Sequence, residues 1–320
     1  MTALWIVTII VGVAVIVWGA ERFAEHLAGA SAALGVSAFA LALLLAGAEP
    51  EELATAVAAS ARDAPGIAFG DVVGANVAIC LVALGVGAVV APLPFGGSVG
   101  RYARLGLPIA GVATWFVWDG SVGRLEGAVL VAMYVAFVAT LWLRERRPPT
   151  LGETAETVED DEGAPRRDRR RGAHAIVGVV LGLAGMVAGS LLLVEATRQI
   201  TDVESFQTLL GLTVIGFATA FELVVLAWST ARRGVSEGTI AAVVGSITYN
   251  VTMTLGVAAI VRPLELVDGS VLRPALIGML GAITVVTVLG TLGTSLGRRD
   301  GIALLALYPL FVVVAVVTVD

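Results

Sequence analysis

Apolar runs of about twenty residues recur along this whole 320-residue chain. As an α helix, such a run rises about 1.5 Å per residue and crosses a hydrocarbon core of roughly 30 Å. The chain is 58% hydrophobic and 14% charged, whereas soluble domains are about 25% charged. We therefore predict an all-α polytopic membrane protein with about ten transmembrane helices. The predicted spans are residues 3–21, 36–60, 66–91, 103–118, 126–143, 174–196, 208–230, 239–261, 274–295 and 302–318.

One stretch, residues 144–172, contains almost no large apolar residue and holds eight arginines. A segment of this composition cannot bury enough apolar surface to fold alone, so we predict a solvated linker. The linker divides the chain into residues 1–143 and residues 173–320, each with five predicted spans. It is most simply a tether, because nothing in its sequence specifies a regulatory role.

The placement of arginine predicts the orientation, since cytoplasmic loops of membrane proteins carry an excess of basic residues. With the N-terminus outside, 15 arginines lie on the cytoplasmic side and 5 lie outside. We therefore expect both termini outside, the 144–172 linker in the cytoplasm, and the protein in the cell (plasma) membrane.

The two halves of the chain resemble each other at a spacing of about 170 residues. Five spans per half is an odd number, so the second half enters the membrane from the opposite side. We predict two inverted five-helix repeats, an architecture in which the binding site lies near the bilayer midplane. The matching positions are Glu52-Leu53 with Glu222-Leu223, Gly19 with Gly189, Glu25 with Glu195, and residues 72–75 with residues 243–246.

Glutamates stand in the middle of the second span of each half. The span 36–60 has its centre beside Glu49, Glu51 and Glu52, and the centre of the span 208–230 is three residues from Glu222. A carboxylate at that depth costs a few kcal/mol or more unless it is paired, hydrated or bound to a metal. Its presence at matching positions of both halves indicates a cation-binding site.

Further oxygen-bearing side chains stand on the third and eighth spans. Ser246 and Asn250 are four residues apart, so they share a helix face. Asp71, near the start of the third span, either lines the pathway or simply begins the helix at the interface. Carboxylate, hydroxyl and amide oxygens suit hard cations such as Na⁺ and Ca²⁺, and no His/Cys cluster indicates zinc. We expect no cofactor, no nucleic-acid partner and no obligate protein partner; the expected partners are the lipid bilayer and the transported cations.

Two short motifs carry a family resemblance. Residues 47–53 read Gly-Ala-Glu-Pro-Glu-Glu-Leu, and residues 217–223 read Phe-Ala-Thr-Ala-Phe-Glu-Leu. With the flanking stretches, about 35–90 and 211–260, they resemble the two α-repeats of the sodium/calcium exchanger, or cation/Ca²⁺ antiporter, superfamily. The five-plus-five layout and the charged central loop are similar to those of its small prokaryotic members.

The resemblance assigns site residues one at a time. The family's first motif, Gly-Thr-Ser-x-Pro-Glu-Leu, places a metal-binding glutamate at Glu52. Because the proline is displaced by one position here, Glu51 stays open as the equivalent residue. Glu222 is the second metal-binding glutamate, Thr219 takes a serine position, and Glu49 stands where the family has serine.

A second family pattern, Gly-Asn-x-x-Gly-Ser-Asn-x-x-Asn or Asp, is kept only in part. The first repeat retains Asn76 but has Ala75 and Ile79 at two polar positions, while the second retains Ser246 and Asn250. The predicted metal ligands are Glu52, Glu222, Glu49, Ser246, Asn250, Thr219, Glu51, Asp71 and Asn76.

These residues predict a secondary active cation antiporter that exchanges Na⁺ for Ca²⁺ by alternating access at a midplane site. Because flanking oxygen ligands are missing and a carboxylate is added, exchange of a divalent cation for H⁺ is the alternative. An intramembrane protease is a weaker hypothesis: Glu51-Glu52 resembles the glutamate pair of prenyl-protein proteases, but Ala56 stands where those enzymes have arginine. A passive channel or a non-transporting sensor is the third hypothesis, which a flux coupled to a second ion would exclude. We therefore expect no enzymatic activity.

Overall fold

A computed structural model describes residues 2–34, 49–145, 169–233 and 237–319 of the chain. Within these residues, eight helices are long and apolar enough to cross a membrane. The prediction of an all-α polytopic membrane protein is confirmed. The eight spans are Ala3–Leu27, Pro65–Val90, Arg124–Arg144, Gly172–Ile200, Glu204–Arg232, Ile240–Val261, Gly269–Gly293 and Arg298–Thr318.

The two remaining predicted spans stay predictions. Most of the first half of the span 36–60 lies outside the described residues, and its second half is a helix from Pro50 to Ala61. The predicted span 103–118 lies, except for its last residue, within a helix of 21 residues, Gly97–Val117. Arg101 and Arg104 lie on that helix and lower its apolar character.

We label the helices in chain order. They are α1 (Thr2–Leu34), α2 (Pro50–Ala61), α3 (Pro65–Ala78), α4 (Leu84–Val90), α5 (Gly97–Val117), α6 (Arg124–Glu145), α7 (Arg169–Ile200), α8 (Glu204–Leu210), α9 (Gly216–Thr219), α10 (Phe221–Arg233), α11 (Glu237–Tyr249), α12 (Leu255–Val261), α13 (Arg273–Gly293) and α14 (Arg298–Val319). A 3₁₀ turn (Gly269–Leu272) precedes α13.

Several predicted boundaries are too tight. The first and sixth spans continue as helix to Leu34 and Ile200, past the predicted ends at residues 21 and 196. The predicted linker 144–172 is too long at both ends, because α6 continues to Glu145 and α7 begins at Arg169. Helical hydrogen bonding continues into these polar flanks where the apolar pattern has already stopped. Residues 146–168 lie outside the described residues.

Within the described ranges, three short π-helical segments interrupt the long helices: Ile79–Ala83, Gly211–Ile215 and Asn250–Thr254. Such segments leave irregular backbone hydrogen bonding and occur frequently at functional sites. The first and third are 171 positions apart, and so are the helices α4 and α12 that follow them. The second half therefore repeats the local backbone of the first at these places.

Two short antiparallel strand pairs join the halves of the chain. Strand β1 (Leu93–Pro94) pairs with β4 (Ser295–Leu296), with Leu93 opposite Leu296. Strand β2 (Ser121–Val122) pairs with β3 (Leu264–Glu265), with Val122 opposite Leu264. Each pair thus takes one strand from each half, in reciprocal positions.

Helices α1 and α7 pack so closely that glycine is required between them. A Cβ atom on Gly12 would lie 2.9 Å from the carbonyl oxygen of Gly189, and one on Gly19 would lie 2.7 Å from that of Gly182. As residue numbers rise along α1, the contacted residues fall along α7, so the two helices run antiparallel.

This helix pair has a hydrophobic cluster of its own, separate from the main core of the molecule. Phe23 and Leu27 on α1 and Met186 on α7 are among its buried members. Because its apolar contacts are largely internal, the α1–α7 pair is joined to the remaining helices by fewer contacts, chiefly those of α7 with α2.

Candidate functional site

Three glutamates of the candidate site lie at the N-terminal end of helix α2. Pro50 occupies the first helical turn, where its missing N–H group is not needed, and Glu51 and Glu52 follow it there. Negative side chains are favoured at this end of the helix dipole. The side chains of Glu49, Glu51 and Glu52 are all buried, with exposures of 0%, 2% and 1%.

Close backbone packing brings helix α3 against α9 and the π segment that precedes it. A Cβ atom on Gly74 would lie 2.3 Å from the carbonyl oxygen of Leu212, and one on Gly216 would lie 2.5 Å from the backbone nitrogen of Ala75. Only glycine permits this approach. As a result, the Thr219 hydroxyl donates to Oδ1 of Asp71 at 3.0 Å.

Helix α11 supplies the matching contact from the second half of the chain. The hydroxyl of Ser246 donates a short hydrogen bond to Oε1 of Glu49. Asn250 opens the π segment one turn later, and its side-chain oxygen accepts from Thr254 at 3.4 Å. Each of the two contacts, Thr219 to Asp71 and Ser246 to Glu49, therefore joins a hydroxyl of one half to a carboxylate of the other.

Most carboxylate oxygens of this cluster have no hydrogen-bond donor. Among the described residues of the first half of the chain, six such oxygens are buried without a donor: Oε2 of Glu49, both oxygens of Glu51, both oxygens of Glu52, and Oδ2 of Asp71. A buried anionic oxygen without a donor is costly. A bound cation would supply the missing partner, and oxygen donors of this kind suit Ca²⁺ and Na⁺.

The carboxylates form one electrostatic network that crosses the two halves. Glu51 interacts with Glu222 and Asp71, and Glu52 interacts with Glu51 and Asp71 and has the Asn250 amide beside it. Both Glu51 and Glu52 therefore belong to the cluster, and Glu51 lies within electrostatic range of Glu222. The alternative between Glu51 and Glu52, left open by the sequence, stays open in this geometry.

The acidic groups do not converge on a single point. Among the described residues, no group of three or more His, Cys, Asp or Glu side chains is placed to hold one metal ion. A cation bound in this arrangement would therefore contact one or two carboxylates, with hydroxyl, amide or backbone oxygens completing its shell. Two carboxylates neutralise one Ca²⁺.

The side chain of Asn76, another predicted ligand, is hydrogen-bonded within its own helix rather than to the acidic cluster. The Asn76 amide donates to the carbonyl of Val72 on its own helix at 2.8 Å. Its side-chain oxygen is buried and accepts no hydrogen bond within the described structure. Its role as a ligand stays a prediction.

The sequence reasoning missed two buried tyrosines beside the acidic cluster. The rings of Tyr134 and Tyr249 meet edge to face, with centroids 5.2 Å apart, and both side chains interact electrostatically with Glu49. Tyr134 lies on α6, far from the motifs. Its phenol in an otherwise apolar span was the available signal.

The two halves differ in how far their glutamates are covered. Glu52 on α2 is buried, whereas its counterpart Glu222 on α10 is half-buried. The two matching positions are therefore covered unequally in this structure.

Comparisons with known proteins agree with this architecture. The family model described as "Sodium/calcium exchanger protein" matches residues 4–143 and 174–317. The chain is 23% identical over 341 residues to the sodium/calcium exchanger MaX1 of Methanosarcina acetivorans, covering 96% of this chain and 97% of the relative. It is 25% identical over 261 residues to the putative antiporter CaxA of Alkalimonas amylolytica, covering 80% of each.

A solved structure of the sodium–calcium exchanger NCX_Mj, soaked with 100 mM Na⁺ and 10 mM Sr²⁺, shares the fold. Its TM-score is 0.60 at 21% identity, over 98% of this chain and 99% of that one. Because the family model matches most of the residues, the family assignment does not depend on this structural likeness. The chain belongs to the sodium/calcium exchanger family, and it is a multi-pass membrane cation antiporter rather than an enzyme.

Proposed function

We propose that this protein exchanges Ca²⁺ for Na⁺ by alternating access at the carboxylate cluster near the bilayer midplane. The observation that carries the proposal is the set of six buried carboxylate oxygens without donors, contributed by Glu49, Glu51, Glu52 and Asp71. In an apolar span such oxygens need a positive partner. Two carboxylates neutralise one Ca²⁺, so the occupied site can cross the barrier while the empty, charged site is held back.

The architecture that we propose is two inverted five-helix halves, joined by a cytoplasmic linker between the end of α6 at Glu145 and the start of α7 at Arg169. The antiparallel contact of α1 with α7 supports the inversion, because these helices hold matching positions in the two halves. The reciprocal strand pairs β1–β4 and β2–β3 support it as well. We place the protein in the plasma membrane with both termini outside, on the arginine distribution.

The counter-ion has a second candidate, H⁺. Two positions at which the family has polar residues are Ala75 and Ile79 here, and Glu49 stands in place of a serine. Fewer neutral oxygens and one more carboxylate make the cluster poorer in Na⁺ ligands and richer in groups that exchange protons. The name of the relative MaX1, a sodium/calcium exchanger, favours Na⁺ as the first choice.

The test is ion-driven uptake by the purified full chain in liposomes. Radiolabelled Ca²⁺ uptake is recorded with an outward Na⁺ gradient and, in parallel, with an outward H⁺ gradient. Glu52→Gln and Glu222→Gln remove one charge each from the cluster while keeping its shape. Glu21→Gln is the matched control, because this glutamate is exposed on α1 away from the cluster.

We expect uptake driven by Na⁺ that both cluster variants abolish and the control retains. Uptake driven by H⁺ alone would replace Na⁺ by H⁺ as the counter-ion. Absence of uptake with either gradient, in protein that elutes as one folded species, would contradict Ca²⁺ as the substrate.

A further inference from the structure

One side of the structure is closed by contacts between α7 and α2. The hydroxyls of Thr55 and Ser190 lie 3.0 Å apart and are buried. Seven residues further along α2 and five further along α7, the Arg62 guanidinium donates to Glu195 at 3.0 Å. This ion pair stands at the C-terminal end of α2, and its side chains are 46% and 36% exposed.

Both members of that ion pair have counterparts 170 positions away. Arg62 corresponds to Arg232, and the residues before them, Ser60-Ala61 and Thr230-Ala231, also match. Glu195 corresponds to Glu25. The chain thus carries the same acid–base pair twice. One pair joins Arg62 of the first half to Glu195 of the second, and the other would join Arg232 of the second half to Glu25 of the first.

The second pair is not formed in this structure. Glu25 interacts instead with Arg22 at 3.8 Å and with His26 at 4.0 Å, both on its own helix. The Arg232 guanidinium lies 4.9 Å from the ring centre of Trp228, on its own helix. Both charged groups are therefore solvated and held only locally.

The helix faces that carry these charges are covered very differently. On α10, Phe221, Val225 and Trp228 form one face and are 47%, 45% and 42% exposed. Their counterparts on α2 are Glu51, Thr55 and Ala58, which are 2%, 0% and 5% exposed. Helix α7 packs on α2, whereas α1 makes no comparable contact with α10 within the described residues.

We propose that Glu25 and Arg232 form an ion pair in the opposite state of the transport cycle, when α1 docks on the exposed face of α10. In that state the Arg62–Glu195 pair is open. The two pairs are then alternative latches, one for each side of the membrane. This inference rests on the inverted repeat of the proposed function but not on the identity of the transported ion.

The separation of the two glutamates fits latches on opposite sides. The contacts of Gly12 with Gly189 and of Gly19 with Gly182 place residue 25 of α1 level with about residue 176 of α7. From there to Glu195 is about 19 residues, or about 28 Å at 1.5 Å per residue. This is close to the roughly 30 Å of a hydrocarbon core.

The test is cysteine cross-linking of the full chain in liposomes, in a Cys80→Ala background. One variant carries Arg62→Cys with Glu195→Cys, and another carries Glu25→Cys with Arg232→Cys. A short, reducible bifunctional thiol reagent is applied with Na⁺, with Ca²⁺ and without either ion, because ligands shift the population of the two states. The matched control is Glu21→Cys with Arg232→Cys, which moves the partner one turn along α1.

We expect both latch variants to cross-link, with opposite dependence on the ions, and each cross-link to stop transport until it is reduced. We also expect Glu25→Gln to slow exchange about two- to fivefold, as for other exposed ion pairs, and the swap of Glu25→Arg with Arg232→Glu to recover the rate. If the Glu25/Arg232 variant never exceeds the control while the Arg62/Glu195 variant cross-links, the exposed α10 face is simply covered by lipid and the proposal is wrong.

Failure of the proposed function gives a different result. Cross-linking requires no Ca²⁺ flux. A positive Glu25/Arg232 cross-link in liposomes that take up no Ca²⁺ would therefore support the alternating ion pairs and contradict only Ca²⁺ as the transported ion.

Discussion

Gly216→Ala is the substitution for which this structure gives the sharpest expectation. The added Cβ would lie 2.5 Å from the nitrogen of Ala75 and 2.8 Å from the carbonyl oxygen of Asp71. Ordinary contacts begin near 3.4 Å, so α3 and α9 must separate by about 0.9 Å. All the obstructing atoms belong to the backbone, so no side chain can move aside.

The separation reaches the site directly. The Thr219–Asp71 hydrogen bond, 3.0 Å long, would lengthen toward about 3.9 Å, a distance at which it no longer counts as a hydrogen bond. Overpacking costs about 1–3 kcal/mol, and an acceptor left without its donor costs about 1–3 kcal/mol more. Replacing helical glycine by alanine returns about 0.5–1 kcal/mol, so the net loss is about 1–5 kcal/mol.

Thermal unfolding in detergent and Ca²⁺ uptake in liposomes measure the two consequences. We expect a lower Tm and weaker apparent Ca²⁺ affinity for Gly216→Ala. The matched control is Gly281→Ala on α13, where a Cβ meets nothing within 4 Å, so its Tm should be unchanged or slightly higher. If Gly216→Ala behaves like this control in both assays, the close approach of α3 to α9 is not what positions Thr219 and Asp71.

Two further substitutions separate a contact that matters from one that does not. Ser246→Ala removes the donor to Glu49. Because a buried acceptor left unpaired costs about 1–3 kcal/mol, we expect the Ca²⁺ concentration for half-maximal uptake to change about five- to hundredfold. An unchanged value would contradict a role for this hydrogen bond. Asp63→Asn breaks the 2.7 Å ion pair with Arg262, whose side chains are 62% and 49% exposed. Exposed pairs contribute about 0–1 kcal/mol, so the Tm of Asp63→Asn should fall by little. A large fall would show that this surface pair contributes more to stability than exposed pairs usually do.

Much of the fold could be predicted because the bilayer leaves few choices. Each apolar run must be a helix, and Glu52 and Glu222 are conspicuous in the middle of such runs. The amphipathic sequence after the first and sixth spans suggested longer helices but did not mark their ends, because a helix that leaves the lipid needs no apolar pattern. Whether Glu51 or Glu52 carries the family role could not be read, because the displaced proline fits either register.

The asymmetry of the structure lies beyond what a repeat can predict. Matching residues such as Glu52 and Glu222 are equivalent in the sequence, yet one is buried and the other half-buried. A single chain in one state must break the symmetry of its halves, and packing decides which side closes. Tyr134 could not be assigned to the site either: its phenol stands out in an apolar span, but its closeness to Tyr249 is a tertiary contact that the local sequence does not specify.

The measurement that tests the central claim most directly is equilibrium binding of radiolabelled Ca²⁺ to the purified full chain, compared with Glu52→Gln and Glu21→Gln. The buried carboxylates predict saturable binding by the native chain and by Glu21→Gln, and its loss in folded Glu52→Gln. Equal binding by all three proteins would show that Ca²⁺ is held elsewhere and would contradict the account of this site.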